Sequence, residues 1–307
     1  MMNLFHKKDQ YQGYNIYSMK KYVDKKRIIF TTIIVILIII TLGFIIYYSV
    51  DTTIRLKNAK RFEQKLIEYE SKQEELQKQE RERQAKIPKL TDEGKQNIKG
   101  IYKSETKRVF LTFDDGPSVN TADVLDILKS NDIKATFFVL GTQVEKMPEM
   151  VKRAYQEGHY IANHGYSHQY SQIYSSPETV LQEFNQCNSA VAKAIDVPEY
   201  NSHLFRFPGG SVGGKYANLK AEAVTLLEKN NIMHVDWNAL TGDAEKSSPD
   251  EEYLMNNLQK TTQNKNSIVI LMHDAQAKRV TVEFLPNLIE FFQQQGYQFE
   301  NFYSIIK

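Results

Sequence analysis

Residues 109–117 read Val-Phe-Leu-Thr-Phe-Asp-Asp-Gly-Pro, an apolar run that ends in two adjacent carboxylates and a Gly-Pro pair. Short runs rich in Val, Phe and Thr are typical of strands, and Gly and Pro are typical of the turns that follow them. The sequence therefore predicts a strand over 109–113, with Asp114 and Asp115 at its carboxyl end. Taken alone, a polar turn without function is the simpler interpretation.

Six more apolar runs follow, and helical patterns lie between most of them. The predicted strands cover residues 109–113, 135–140, 160–163, 204–207, 233–237, 268–272 and 297–302. The predicted helices cover residues 122–130, 147–157, 177–194, 216–229, 251–263 and 280–295. Strands that alternate with helices over about 200 residues indicate an α/β fold with parallel strands, either an open doubly wound sheet or a barrel. Hydrophobic periodicity does not distinguish these two.

The N-terminal region of the chain contains an uncharged run, residues 28–50, dominated by Ile, Val and Leu. At about 1.5 Å per residue, a helix of this length crosses a hydrocarbon core of about 30 Å. A cleaved signal peptide would have a shorter apolar region ending in small residues, whereas Gly43 is followed by Phe-Ile-Ile-Tyr-Tyr. The run therefore predicts a single transmembrane anchor. Lys-Lys-Arg at 25–27 precedes it and Asp51 follows it, which favours a cytoplasmic segment 1–27 and an extracytoplasmic C-terminal region.

A charged segment without Gly or Pro follows the predicted anchor. Pairs such as Glu68 and Lys72 are one helical turn apart, which indicates a helix. Phe62, Leu66 and Tyr69 have the four-three spacing of a short coiled coil, so the helix is either a site of self-association or a solvated stalk. The predicted segments are the cytoplasmic N-terminal segment 1–27, the anchor 28–50, the stalk or linker 51–90 and the folded domain 91–307.

Composition excludes one class of partner. The net charge of +2 is too small for a protein that follows the phosphates of DNA or RNA, which needs a clustered basic excess. We therefore expect no nucleic-acid partner. The single cysteine, Cys187, cannot form a disulfide within the chain and lies in a polar helical pattern, so it is predicted to be a half-buried structural thiol.

Polar residues of interest follow the predicted strands. They are Asp114 and Asp115 after the first strand, His164 after the third, Arg206 on the fourth, Asp236 on the fifth and His273 after the sixth. In a parallel α/β fold the carboxyl ends of the strands lie on one face, where such enzymes carry their sites. The sequence therefore predicts that these residues form one cluster.

His164 and His168 are four residues apart, a separation that a helical turn or tight loop can bring to one metal ion. Such pairs also occur by chance, so a third ligand is needed. Asp115 supplies a carboxylate, and two imidazoles with one carboxylate leave coordination positions open for water, which suits catalysis. Because adjacent side chains leaving a strand diverge, Asp114 can act as a base while Asp115 binds metal.

Five motifs carry a family resemblance. They are Thr-Phe-Asp-Asp-Gly-Pro at 112–117, His-Gly-Tyr-Ser-His at 164–168, Arg-Phe-Pro-Gly-Gly at 206–210, Asp-Trp at 236–237 and Leu-Met-His-Asp at 271–274. In these motifs and their order, the chain from Arg108 to Phe302 resembles the polysaccharide deacetylases, the NodB-like carbohydrate esterase family 4. The resemblance implies a distorted (β/α) barrel in residues 91–307, which would form the catalytic domain.

The resemblance also implies a cofactor and residue roles. One divalent ion, usually zinc, with cobalt, nickel or manganese as alternatives, would be held by Asp115, His164 and His168. The implied catalytic residues are Asp114 as base, His273 as acid, Asp236 as the partner that orients His273, and Arg206 as the cation that holds Asp114 ionised. The implied substrate-binding residues are Trp237 and Leu271, which line the pocket for sugar and acetyl group, and Gly209, whose N–H helps to bind the oxyanion.

Two positions depart from the commonest family pattern. Gly165 stands where many members carry a Ser or Thr that braces the loop, and Gly209 stands where relatives often have a tyrosine. Gly209 keeps the N–H but lacks an aromatic wall, so we expect an effect on substrate shape rather than on chemistry. Outside these roles, Asp274 is predicted to cap the following helix or turn, and Asp243 to border the groove or to be solvated.

The anchor would hold the domain beside the cell wall, so the expected substrate is the N-acetylglucosamine of peptidoglycan. The alternative substrates are other acetylated glycans, namely a chitin-like polymer, an exported polysaccharide or an O-acetylated xylan. A non-catalytic glycan-binding protein with the same fold is a third interpretation. The complete set of ligands, base and acid argues against it.

Overall fold

The chain divides into two compact units, Met1–Glu80 and Arg81–Lys307. The structure is a computed structural model that describes the backbone of residues 10–306 and the side chains of residues 21–306. Residues 1–9 of the predicted cytoplasmic segment therefore lie outside the described residues.

The described portion of the first unit is helical. α1 spans Gln10–Ala85 and includes the predicted anchor and most of the charged segment after it. Among the described residues it is the one helix long and apolar enough to cross a membrane. Its apolar side chains, such as Phe30 and Ile39, are exposed, as a surface facing lipid would be. The prediction of a helix over the charged segment is confirmed as far as Ala85.

Eight strands of the described residues form one parallel sheet. They are β1 (Arg108–Asp114), β2 (Thr136–Val139), β3 (Tyr160–Asn163), β4 (Leu204–Phe205), β5 (Met233–His234), β6 (Ala239–Leu240), β7 (Ser267–His273) and β8 (Gln298–Glu300). The order is β5-β4-β3-β2-β1-β7-β6, and β8 pairs with the first half of β1. The sheet is curled into a half-barrel that ends at β5 and β6 without closing. A half-barrel of parallel strands is the form that a distorted (β/α) barrel takes, so that prediction is confirmed.

Helices lie between most of the strands. They are α2 (Asp92–Lys99), α3 (Val119–Ser130), α4 (Gly141–Lys146), α5 (Pro148–Gln156), α6 (Tyr170–Ile173), α7 (Pro177–Ile195), α8 (Ala217–Lys229), α9 (Glu251–Thr262) and α10 (Arg279–Gln294), with a 3-10 helix at Phe302–Ser304. Each predicted strand and helix is present with ends shifted by a few residues. The sequence does not predict α2, α4, α6 or β6, because segments of eight residues or fewer carry little periodicity.

Side chains alternate along β1 between the two sides of the sheet. Val109 and Leu111 are buried in the cluster between the sheet and the outer helices. Phe110 is buried in a second cluster on the inner side. Thr112 and Asp114 lie two and four residues after Phe110 and therefore on the same side of the sheet. Asp114, at the carboxyl end of β1, thus lies on the inner side.

Capping side chains explain where several helices begin. In three cases the side chain before the helix accepts a hydrogen bond from a backbone N–H of the first turn: Ser118 before α3, Ser176 before α7 and Asp250 before α9. On α7, Cys187 is fully buried rather than half-buried, and its Sγ donates to the Val139 carbonyl at 3.3 Å. Because burial raises the pKa of this thiol, Cys187 is an unreactive structural residue.

Candidate active site

The carboxyl ends of four strands bring the predicted metal-binding and catalytic residues together. Asp114 ends β1 and is in register with His273 at the end of β7. His164 directly follows β3, and Arg206 directly follows β4. Because the strands are parallel, these side chains lie at one edge of the sheet.

Asp115, His164 and His168 form the cluster predicted to bind metal. Asp115 Oδ1 lies 3.5 Å from His164 Nε2 and 3.4 Å from His168 Nε2. One donor atom from each residue lies within 4.8 Å of the others. Asp115 Oδ1 is buried and has no hydrogen-bond partner among the described residues. Since an unsatisfied buried oxygen costs about 1–3 kcal/mol or more, a cation at this point would relieve it, and the three residues fit a divalent ion.

The protonation of His164 suits a metal ligand. Its Nδ1 lies 2.8 Å from the carbonyl oxygen of Arg206, which can only accept, so the proton is on Nδ1. Nε2 then carries no proton, so its lone pair is available to a metal ion, and it lies near Asp115. Burial lowers the pKa of His164 to about 3, so the ring is neutral over the physiological range.

Glu183 holds the loop between the two histidines. Its Oε2 accepts the N–H groups of Tyr166 at 2.6 Å and Ser167 at 2.7 Å, and its Oε1 accepts the Ser167 hydroxyl at 2.7 Å. Glu183 is 2% exposed. These contacts brace the loop without the hydroxyl that is missing at Gly165. The sequence motif does not reveal Glu183, because it lies on α7 at a distance along the chain.

Asp114 and Arg206 form a buried ion pair. Arg206 Nη1 donates to Asp114 Oδ1 at 2.9 Å and to Thr112 Oγ1 at 2.7 Å, while Nε donates to the Val235 carbonyl at 3.2 Å. The guanidinium also lies 3.9 Å from the centre of the Phe138 ring. Burial raises the pKa of Asp114, and the charge of Arg206 opposes that rise. The contact that the resemblance implied between these two residues is therefore present.

His273 is held by a carboxylate. Its Nδ1 lies 3.0 Å from Asp243 Oδ1, and its backbone N–H donates to Asp243 Oδ2 at 2.7 Å. Thr281 Oγ1 donates to the same oxygen at 2.7 Å. Burial alone would lower the pKa of His273, but the hydrogen bond and charge of Asp243 outweigh it and raise the pKa to about 9. The ring is therefore an imidazolium near neutral pH, with Nε2–H available to donate.

The predicted substrate-binding residues border this cluster. Leu271 is half-buried and is in register with Thr112 of β1. The Trp237 ring is half-buried, and its centre lies 5.8 Å from the Arg206 guanidinium carbon. Gly209 is exposed and has a φ of +74°.

A cavity of about 460 Å³ opens beside Asp115 and His168 and is also lined by Gln143. This volume lies within the range of small-molecule sites, about 300–1,000 Å³. A second cavity, of about 940 Å³, is lined by Lys107 and Asn266 at the amino ends of β1 and β7 and contains none of the predicted site residues. Of these two cavities, the smaller is the one that members of the cluster, Asp115 and His168, help to line.

The folded domain is similar to known proteins. A family model described as polysaccharide deacetylase matches residues 102–226. The chain is 36% identical over 198 residues to YheN of Bacillus subtilis, and this match covers 63% of this chain and 66% of YheN. It is 33% identical over 205 residues to a peptidoglycan-N-acetylglucosamine deacetylase of Bacillus cereus, which covers 65% of this chain and 71% of the relative. The chain belongs to the polysaccharide deacetylase family.

A solved structure agrees with this assignment. The structure of a Streptococcus mutans CE4 esterase superposes with a TM-score of 0.62 at 29% identity, over 69% of this chain and 92% of that one. The family model covers three of the five motifs, those at 112–117, 164–168 and 206–210.

The partner of His273 in this member of the family is Asp243, and the prediction of Asp236 for that role is wrong. Asp236 instead accepts the Ser211 N–H at 3.0 Å and the Ser211 hydroxyl at 2.6 Å, and its backbone carbonyl accepts Arg206 Nη2 at 3.1 Å. Asp236 therefore stabilises the turn after Gly210. Asp243 follows the two-residue strand β6, which pairs with β7, and this pairing brings it to His273.

Asp274 does not cap the following helix, contrary to prediction. α10 begins at Arg279 after Lys278, which provides no side-chain cap. Asp274 is fully buried, and its Oδ2 accepts the Thr121 hydroxyl at 2.5 Å. Its carboxyl group occupies the space beside Gly116, where an added Cβ would lie 2.3 Å from Oδ2. Asp274 therefore joins β7 to α3 beneath the site.

Asp243→Asn is expected to lower the pKa of His273, because the carboxylate that raises it is replaced by a neutral amide. The resemblance implies that His273 is the acid, and an acid must be protonated to act, so activity is expected to fall as pH rises through the pKa of His273. The descending limb of kcat against pH should therefore move to lower pH in the variant, and kcat at its optimum should fall by up to about 100-fold. Measuring kcat between pH 6 and about 10 tests this.

Asp250→Asn is the matched control, because Asp250 caps α9 and forms no hydrogen bond or ion pair with His273 among the described residues. It should leave the descending limb in place. An Asp243→Asn profile that coincides with that of the control would contradict the assignment of Asp243.

Proposed function

We propose that this chain is a membrane-anchored, divalent-metal-dependent deacetylase that hydrolyses the N-acetyl groups of N-acetylglucosamine in peptidoglycan. The observation that carries the proposal is the buried Asp115 Oδ1, which lies between His164 and His168 and has no hydrogen-bond partner in the described part of the chain. With Asp114 and His273, these residues together offer a metal site, a base and an acid within one cluster.

Asp115, His164 and His168 would hold the ion, most readily zinc, with cobalt, nickel or manganese as alternatives. When bound, such an ion polarises the acetyl carbonyl and lowers the pKa of water. Two imidazoles and one carboxylate leave room for substrate and water beside the protein ligands. This is the open coordination expected of a catalytic site rather than a structural one.

Asp114 is the proposed base. Arg206 binds its Oδ1, which leaves Oδ2 to accept the proton of the attacking water. The water oxygen forms a bond to the acetyl carbon, and the Gly209 N–H is the proposed donor to the developing oxyanion. Arg206 keeps the carboxylate oriented throughout, since its guanidinium is held by several acceptors.

His273 is the proposed acid. Asp243 binds Nδ1, so Nε2–H donates its proton to the sugar nitrogen as the C–N bond breaks. The products are acetate and a free amino sugar. The pKa of about 9 keeps the imidazolium available near neutral pH.

The substrate and location rest on two further observations. A Bacillus cereus relative is named a peptidoglycan-N-acetylglucosamine deacetylase. α1 is long and apolar enough to serve as an anchor that would hold the domain near the cell wall. Peptidoglycan is therefore the proposed substrate, on the extracytoplasmic side of the membrane.

The test uses the full-length chain in detergent with purified peptidoglycan, and acetate release is measured. We expect acetate from the metal-loaded protein, loss of release after chelation, and recovery on adding zinc, cobalt, nickel or manganese. Acetyl xylan and N-acetylglucosamine oligomers are assayed in parallel. Release from acetyl xylan alone would overturn the peptidoglycan assignment, and no release from any metal-loaded sample would overturn the deacetylase proposal.

A further inference from the structure

Tyr170 occupies the space that a side chain at residue 209 would need. A Cβ added to Gly209 would lie 2.7 Å from the Tyr170 hydroxyl oxygen and 3.3 Å from two ring carbons. Gly209 also has a φ of +74°, which is strained for other residues. The backbone of Gly209 and the phenol of Tyr170 are therefore complementary, with the phenol from α6 in the place of an aromatic side chain at 209.

The helix that carries Tyr170 is hydrogen-bonded to the turn that contains Gly209. The Tyr174 hydroxyl, one helical turn after Tyr170, donates to the Pro208 carbonyl at 2.6 Å. Lys220 is buried, and its Nζ donates to the Gly210 carbonyl at 2.6 Å. Residues on both sides of Gly209 are thus bound, so the position of Tyr170 relative to the turn is defined.

Tyr170 also faces the metal-binding cluster. Its ring centre lies 5.5 Å from that of His168, at an interplanar angle of 67°. Tyr170 is 42% exposed, and its hydroxyl makes no hydrogen bond within residues 21–306. A portion of the ring and its hydroxyl are therefore free for a ligand that enters beside His168.

We propose that Tyr170 is a substrate-binding residue that sets sugar specificity, with its ring packing against the pyranose and its hydroxyl bonding to a sugar oxygen. The proposal rests on the proposed function, because it names the wall of that same site. A partly exposed aromatic ring provides apolar area for the C–H face of a sugar together with a polar group for its hydroxyls. The wall missing at Gly209 is supplied by α6.

The test compares the full-length wild type, Tyr170→Phe and Tyr170→Leu on an N-acetylglucosamine oligomer and on an activated acetate ester without a sugar. Tyr170→Leu should raise KM for the oligomer about 10-fold. Tyr170→Phe keeps the ring and should raise KM about 3-fold through loss of the hydrogen bond. For both variants the loss on the sugar-free ester should be smaller than the loss on the oligomer.

Two results would overturn the proposal. One is an unchanged oligomer KM in Tyr170→Leu, and the other is an equal loss on both substrates, which would make Tyr170 a structural residue. If the wild type hydrolyses no oligomer, the proposed function fails separately. Calorimetric binding of the oligomer then decides the question, since weaker binding to Tyr170→Leu supports the proposal and equal binding refutes it.

Discussion

Asp114→Asn is expected to lower kcat for deacetylation by about 100- to 10,000-fold, the usual contribution of a general base. The amide has nearly the same shape and can still accept a hydrogen bond from Arg206 Nη1, so the site should keep its geometry. An amide cannot take up the proton of the attacking water. The loss should therefore appear in kcat, with metal content and KM close to those of the wild type.

Asp126→Asn is a suitable control for Asp114→Asn. Asp126 is an exposed residue of α3 that pairs with Arg153 at 2.5 Å, away from the cluster. Surface pairs contribute little to stability, so this variant should behave as the wild type does. An Asp114→Asn enzyme that holds metal and retains more than about a tenth of the control's kcat would show that another group is the base.

Asp115→Ala is expected to lower metal affinity by more than about 100-fold, since loss even of groups that only orient a ligand costs about 10- to 100-fold. Asp115 is the anionic member of the triad, and its Oδ1 lies between the two imidazoles. Removing it leaves two neutral ligands, which hold a divalent ion poorly. Metal content after dialysis against a weak chelator, measured by elemental analysis, should fall to background.

The two aspartate variants separate metal binding from proton transfer. Asp114→Asn should retain metal and lose activity, whereas Asp115→Ala should lose both. Equal metal content in Asp115→Ala and the wild type would show that the triad is not the metal site.

The close approach of Asp115, His164 and His168 could be predicted from the sequence, because all three lie in short motifs at strand ends. One of these residues follows β1 and the two histidines follow β3. The parallel pairing of these strands with β2 is enough to bring them together. The same applies to Asp114 and His273, which end paired strands in register. Local patterns were sufficient wherever the sheet itself brings residues together.

The groups that support these residues were not accessible in the same way. Asp243 reaches His273 through a two-residue strand, and Glu183 reaches the histidine loop from the middle of α7. Tyr170 lies on a four-residue helix whose contact with Gly209 depends on packing. Such contacts depend on tertiary structure, and elements this short show no hydrophobic periodicity that would predict them.

Mass spectrometry of muropeptides tests the central claim most directly. Purified peptidoglycan is incubated with the metal-loaded full-length chain or with metal-loaded Asp114→Asn, then digested. The account predicts muropeptides that lack the acetyl group on glucosamine after wild-type treatment and fully acetylated muropeptides after treatment with the variant. Fully acetylated muropeptides from both samples, with metal bound in each, would contradict it.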